Sequence, residues 1–182
     1  MSGSAKPALP FHAEHIGSLL RPDELRQAFR DTSKGDITAE EFHRIQEQCI
    51  RDVVKMQEDV GLQMVTDGEF RRTTYISHFV DSVEGLDFGP SSFRFYDAVG
   101  GEHEFVAPQC VGKVKRVKSN SGEEFDFLKS LTTRMPKMTL PSPATMHFLG
   151  GANAPPPEFY ADLDEFFADL AVAYEEDIAD LA

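Results

Sequence analysis

A chain of 182 residues, 41% apolar and 27% charged, is long enough for one domain with a real core. Its net charge of −13 argues against a nucleic-acid groove, which needs a basic surface. No apolar run approaches the ~20 residues of a membrane-spanning helix, and the start MSGSAKPALP has no signal-peptide core. Two cysteines, Cys49 and Cys110, set neither a disulfide framework nor a zinc motif. The expectation is a soluble chain in a reducing, cytoplasmic setting, without nucleic-acid or membrane partners.

Residues 1–10 are small, polar and proline-bearing, and read as a flexible arm. FHAEHI, residues 11–16, reads as a short strand. Pro22 suits the first position of a helix, where its missing N–H has no partner to lose. DELRQAFRDT continues that helix with Leu25 and Phe29 on one face, and SKGD breaks it. Thr38 and Glu41 form a capping box that opens a long helix. Phe42, Ile45, Cys49, Val53, Met56 and Val60 recur at spacings of three and four, the mark of one buried stripe. On that stripe Cys49 reads as a small core residue rather than a nucleophile. Gly61 ends the helix as a left-handed cap.

LQMVTD, residues 62–67, is the next strand, and Gly68 turns the chain sharply. Residues 75–82 read as a short helix. SFRFYDAV and HEFVAPQCVGKVKRV read as an inserted, hairpin-like excursion. Its basic strip KVKRVK reads as the solvent side of an edge strand, where lysine discourages aggregation. SGEEFDFLKSLTTR is a helix with Phe125, Leu128 and Leu131 inward. KMTLPSPATMHF is a strand ending in a proline-punctuated loop, and GGANAPPP is a linker turn. From Glu158 a helix runs to the end, with Phe159, Leu163, Phe167, Leu170, Tyr174, Ile178 and Leu181 three or four apart. Residues 158–182 carry nine Asp or Glu and no Lys or Arg. They read as a solvated helix face, with an acidic docking surface as the alternative.

Strands alternating with helices point to an α/β fold with a parallel sheet of about three strands and helices outside. The chain stops inside a helical pattern, and three strands neither close a barrel nor make a comfortable doubly wound sheet. A (β/α)8 barrel takes about 250 residues. The expected architecture is therefore a partial TIM (β/α)8 barrel over residues 11–182, its first three or so βα units, or a truncated relative. Such a piece is expected to pair with a missing barrel half, to self-associate or to be unstable.

Active sites of barrels lie at the carboxyl ends of strands. Three such ends are Ile16-Gly17-Ser18, Asp67-Gly68-Glu69 and Pro141-Ser142-Pro143. Gly17 permits close backbone approach, and the N–H groups of Gly17 and Ser18 suit a carboxylate. Glu69 suits an ammonium group. Together they could hold both ends of an amino acid; the plainer reading is that Gly17 and Gly68 are turn glycines and Glu69 a surface or helix-start residue. His12 and His15 point to opposite faces of an extended segment and are not expected to share a metal. His15 is expected beside the pocket, and His12 in a structural place. No CxxC, Walker loop, GxGxxG or GxSxG occurs.

HIGSLLRP, then GLQMVTDGEFRR, then LPSPATMHF, with GDITAEE and the Ile50–Leu62 segment between, is an ordered set. From about residue 11 to the end it resembles the catalytic domain of cobalamin-independent methionine synthase and its short single-barrel relatives. The resemblance implies a (β/α)8 barrel shared with uroporphyrinogen decarboxylase. It implies that Ile16, Gly17 and Ser18 contact homocysteine and that Glu69 binds its amino group, with His15 and Asp67 in the same pocket. Gln109 and Cys110 stand loosely where the family has an Arg-Cys pair that touches the folate, and here the arginine is absent. Ser142-Pro143-Ala144-Thr145 stands for a family turn.

By the same resemblance the activity is a zinc-dependent methyl transfer from a methyltetrahydrofolate donor to a small-molecule thiol such as homocysteine, giving methionine. A free thiol has a pKa of ~8.5, and zinc coordination deprotonates it. The family's zinc ligands and proton-donating histidine are not matched in this chain, which is expected to be inactive alone. Two alternatives remain: alkyl transfer involving another thiol, coenzyme M-like, and a non-catalytic paralogue serving as an interaction module.

Overall fold

Two hydrophobic cores organise the chain, one in each of two units: residues 1–71 with 127–138, and residues 72–126 with 139–182. A computed structural model describes residues 13–103, 105–150 and 155–182. The arm 1–10, His12, the start of FHAEHI and part of GGANAPPP lie outside the described residues. In chain order the elements are helices α1 (Asp23–Lys34) and α2 (Ala39–Asp59), strand β1 (Met64–Val65), helix α3 (Ser77–Ser82), strands β2 (Val83–Pro90), β3 (Phe95–Tyr96), β4 (Glu102–His103) and β5 (Val106–Arg116), helix α4 (Gly122–Leu131), strand β6 (Met135–Pro136), and helices α5 (Thr145–Phe148) and α6 (Leu163–Asp180).

In the first unit the helices start and stop as their residues dictate. Pro22 is the N-cap of α1 rather than its first helical residue. The helix runs through Ser33 and Lys34, so the break falls at Gly35. At α2 the Thr38 hydroxyl accepts the Glu41 N–H at 3.1 Å, the expected cap. Cys49, Ile50, Val53 and Val54 pack on Leu25, Val65 and Phe70 in one cluster. The expected stripe is rotated: Met56 and Val60 are exposed, while Gln46 and Gln57 are buried. Those two amides take backbone partners that a methionine or valine could not satisfy.

Strand β1 pairs in parallel with β6, Met64 opposite Met135 and Val65 opposite Pro136. Both strands are shorter than expected. Pro136, Pro141 and Pro143 have no N–H to give a ladder, and the ladder closes with Lys137 N–H to Val65 O at 2.9 Å. Residues 145–148, expected as strand and loop, are helical. Residues 13–16 of FHAEHI form no strand. That segment is tied to the unit by an ion pair of Glu14 with Lys137 at 2.8 Å and by Leu19 N–H to Gly68 O at 3.1 Å, not by successive ladder bonds.

In the second unit the excursion is a hairpin; HEFVAPQCVGKVKRV supplies one strand as expected, but its partner is not SFRFYDAV. β2 pairs antiparallel with β5 from Val83 opposite Arg116 to Pro90 opposite Val106, with a register shift between Glu84 and Leu86. Of SFRFYDAV only Phe95–Tyr96 is strand, paired with β4 at the tip. VEGLDFGP escaped the sequence reading because two glycines and a proline interrupt its alternation. Phe79, Val80, Met146, Phe166, Leu170 and Tyr174 belong to the core beneath this hairpin.

α6 begins at Leu163, not Glu158. The Asp162 side chain accepts the Glu165 N–H at 2.9 Å and so caps the helix. The buried face is Phe166, Leu170, Ala173, Tyr174 and Asp177; Ile178 is exposed. The basic strip lies on an edge strand with Lys113 and Lys115 exposed, as expected, but two of its cations also reach α6, so the acidic helix face is not wholly solvated. Lys113 pairs with Glu165, and Arg116 with Asp180. Arg116 Nε donates to Asp177 at 2.7 Å, and Asp177 also accepts the Asn120 N–H at 3.1 Å. Asp177 is only 3% exposed, so burial makes this partner obligatory.

Tyrosines finish that core. The buried Tyr160 hydroxyl accepts the Val114 N–H and donates to Asp169 at 2.9 Å. Tyr174 stacks on Phe79 with centroids 4.2 Å apart and donates to Pro141 O at 2.7 Å.

Arg116→Ala strands a buried carboxylate and is expected to lower stability by roughly 3 kcal/mol, read by urea unfolding. Asp177→Asn on that background should recover part of the loss. Burial, helped by Asp169, pushes the Tyr160 hydroxyl up to about 12, and burial raises Tyr174 as well. A folded-state pKa above the unfolded value of ~10 stabilises fully below that value and is lost as pH climbs through the folded one. Stability should therefore fall between pH ~10 and about 12. Tyr160→Phe should flatten part of that fall, followed by phenolate absorbance and melting temperature.

Candidate functional site

The candidate site grows from the end of β1. Thr66, Asp67, Gly68, Glu69 and Phe70 are all buried, unusual for a connecting turn. Gly68 has φ +72 and Glu69 has φ +57, two left-handed residues in succession. A Cβ at Gly68 would stand 2.9 Å from the Phe70 ring and 3.3 Å from Leu19 Cβ, so no other residue fits without movement. Glu69 is the one described non-glycine residue with positive φ, a conformation that persists only when its surroundings over-determine it.

Those surroundings are specific. Asp67 Oδ1 accepts the Glu69 N–H at 2.9 Å, and Thr66 Oγ1 accepts the Gly68 N–H at 3.1 Å. Arg21 Nη2 donates to Glu69 O at 3.3 Å, and Leu19 N–H donates to Gly68 O at 3.1 Å. From α2, Gln57 engages both backbone groups of Thr66, and Gln46 donates to Phe70 O.

The Leu19–Gly68 bond puts the Ile16-Gly17-Ser18 turn and the Asp67-Gly68-Glu69 turn in one place. Gly17 has φ +84, and open space lies where its Cβ would stand. Its backbone conformation, rather than close packing, is what demands glycine. Ile16 is 76% exposed, Ser18 is exposed, and His15 is half-buried. His15 Nε2 is buried without a hydrogen-bond partner. Glu69 is 5% exposed. Arg21 lies 5.1 Å from the Phe29 ring centroid. Burial lowers its pKa, and the charge of Glu69 opposes that shift. The arrangement thus offers a buried carboxylate, a guanidinium and an open backbone turn.

Arg21 is the residue that the sequence reading passed over, since Pro22 beside it was taken only as a helix start. A cation on a strand-end loop, directly before a helix-opening proline, is the signal that could have found it. Gln46 and Gln57 had no such signal, because nothing in the spacing separates a buried glutamine from a solvated one.

The remaining candidates lie in the second unit. Gln109 stands on β5 opposite Asp87 and donates to Pro90 O at 3.1 Å. Cys110 stands opposite Leu86, and its Sγ donates to Gly112 O at 3.3 Å. Burial pushes the Cys110 thiol up, and the Cys49 thiol likewise. Neither is poised as a thiolate. Among the described residues no group of three or more His, Cys, Asp or Glu is placed to hold a metal. The described donor set does not fit the zinc implied by the resemblance. No described helix is long and apolar enough to cross a membrane.

Comparison with known proteins places the chain in a family. The family described as cobalamin-independent synthase, catalytic domain, matches residues 11–182. The Bacillus subtilis protein YxjH is 33% identical over 172 residues, 93% of this chain and 44% of that protein. A solved protein from Listeria monocytogenes, described as a vitamin-B12-independent methionine synthase, superposes with a TM-score of 0.73 at 29% identity, covering 97% of this chain and 49% of that one. A B12-independent methionine synthase from Shewanella sp. W3-18-1, solved in complex with selenomethionine, superposes with a TM-score of 0.61 at 26% identity, over 80% of this chain and 40% of that one. The mixed α/β structure is thus similar to part of these synthase structures. The chain spans about half the length of the relatives it matches.

Gly68→Ala combines a positive φ with a Cβ against Phe70. It is expected to lower unfolding free energy by about 1–3 kcal/mol, measured in urea, whereas Gly17→Ala, with open space around it, should fall at the low end.

Proposed function

The chain belongs to the cobalamin-independent synthase catalytic-domain family, and on that footing we propose that it carries the amino-acid-binding part of a methyltransferase. The reaction moves a methyl group from a methyl-folate-type donor to a thiol such as homocysteine, giving methionine. The observation that carries this reading is the buried Glu69, held left-handed at a strand end beside the Gly17-Ser18 turn. A buried carboxylate favours cationic company, and an amino acid's ammonium group supplies it beside the Arg21 guanidinium.

In this reading Glu69 receives the ammonium and shares its charge with Arg21. The Gly17 and Ser18 N–H groups receive the carboxylate, Ile16 lies along the aliphatic chain, and Asp67 and His15 complete the surroundings. The relative solved with selenomethionine supports the substrate class, because that ligand has the ammonium and carboxylate of methionine. A coenzyme M-like thiol has no ammonium group, so the buried carboxylate favours an amino acid. Gln109 and Cys110 on β5 are proposed as contacts of the methyl-folate donor. The parallel β1 and β6 are proposed as neighbouring strands of a (β/α)8 barrel, with the β2–β5 hairpin inserted between them in sequence. The zinc of this chemistry is assigned to no described residue.

Calorimetric titration with L-methionine and L-homocysteine tests the assignment. Glu69→Gln removes the charge facing the ammonium and keeps the shape. A charge-assisted hydrogen bond contributes about 1.5–3 kcal/mol, so affinity should drop roughly tenfold to a hundredfold. Binding of 2-mercaptoethanesulfonate should not respond. Equal methionine affinity in wild type and variant would refute the role of Glu69.

A further inference from the structure

We propose that Gln57 and Gln46 of α2 are positioning residues: their buried amides clamp the 66–70 turn at both ends and so set the direction of Glu69. The functional consequence rests on the amino-acid reading of Glu69, but the clamp is read from geometry alone.

The Gln57 side chain behaves as a strand neighbour. Its Nε2 donates to Thr66 O at 2.8 Å, and its Oε1 accepts the Thr66 N–H at 3.0 Å. This is the two-bond exchange of a hydrogen-bonded pair in an antiparallel ladder. The second Nε2 hydrogen goes to Val53 O at 3.0 Å. Both donors and the acceptor of the amide are thus engaged, in a residue 1% exposed. Three helical turns earlier on the same face, the buried Gln46 donates to Phe70 O at 3.2 Å. The two contacts bracket Gly68 and Glu69.

An apolar stripe has no packing need for glutamine, and leucine or methionine would fill the space at less desolvation cost. What the amides supply is a partner for backbone that has left the β1–β6 ladder. Thr66 follows the last paired residue of β1, and the left-handed pair follows two residues later. With Thr66 and Phe70 anchored, the short bonds inside the turn, Gly68 N–H to Thr66 Oγ1 and Glu69 N–H to Asp67 Oδ1, form on a fixed frame.

The test pairs amide hydrogen exchange with methionine titration. Gln57→Met conserves volume and deletes all three bonds. The expected result is selective loss of protection at the Thr66, Gly68 and Glu69 amides, with α1 and α2 amides protected as in wild type. L-methionine affinity should fall at least tenfold at a temperature where the variant is fully folded. Gln57→Glu supplies a conservative rescue. Its protonated carboxyl again offers one donor and one acceptor to Thr66, whereas the carboxylate faces Thr66 O with repulsion. Turn protection in Gln57→Glu should therefore return toward wild type as pH falls, and in Gln57→Met it should not.

Wild-type turn protection in Gln57→Met would overturn the proposal. Uniform loss of protection across α1, α2 and the turn would also overturn it, since that marks a purely structural glutamine. If Gln57→Met does not fold, Gln46→Met reads the same clamp from its Phe70 end, with the same two outcomes. If Glu69→Gln leaves methionine binding unchanged, the amino-acid reading fails, and the exchange data still decide the clamp.

Discussion

The turn at Gly68 and Glu69, two consecutive left-handed residues, is the constraint around which the first unit is arranged. Most of its backbone groups find a side chain or a loop where a regular ladder would have paired them. Thr66 and Asp67 close the turn from within, Arg21 and Leu19 reach it from the preceding loop, and Gln46 and Gln57 reach it from α2. The cost of the αL glutamate is offset by this shell, and the result is a carboxylate fixed in a dry place. In the proposed reading that carboxylate receives an ammonium group.

The second unit solves a different problem, an acid-rich helix over a hairpin. Its answer is local neutralisation: Arg116 between Asp177 and Asp180, and Lys113 against Glu165. Tyr160 does the same for polar groups, taking the Val114 N–H and giving its proton to Asp169. The overall charge of −13 therefore overstates how much of α6 is free acidic surface.

Helices α1 to α4, the Thr38 cap, the break near Gly35 and the sharp turn at Gly68 were legible from spacing and residue type, because these depend on neighbours a few positions away; α5 and the start of α6 were not. Family membership was legible from three ordered motifs, and the matched span agrees with it. Strand extents were not. FHAEHI forms no strand over 13–16, β6 lies earlier than KMTLPSPATMHF implied, and VEGLDFGP was missed. A strand is defined by its partner, and no local pattern names the partner. The stripes of α2 and α6 were each misjudged by a fraction of a turn for a related reason. Gln57 and Asp177 lie inward because distant groups, Thr66 and Arg116, need them there.

The sequence alone determined where the chain bends and caps, which family it joins, and that Gly17, Ser18 and Glu69 are the residues to examine. Those depend on short-range sterics and on motif order, both written along the chain. Only the tertiary structure decided that Glu69 is buried and left-handed, that Arg21 stands beside it, and that two glutamines hold the turn. These are outcomes of long-range hydrogen bonding in a low-dielectric interior. There the cost of an unpaired polar group selects partners far apart in sequence.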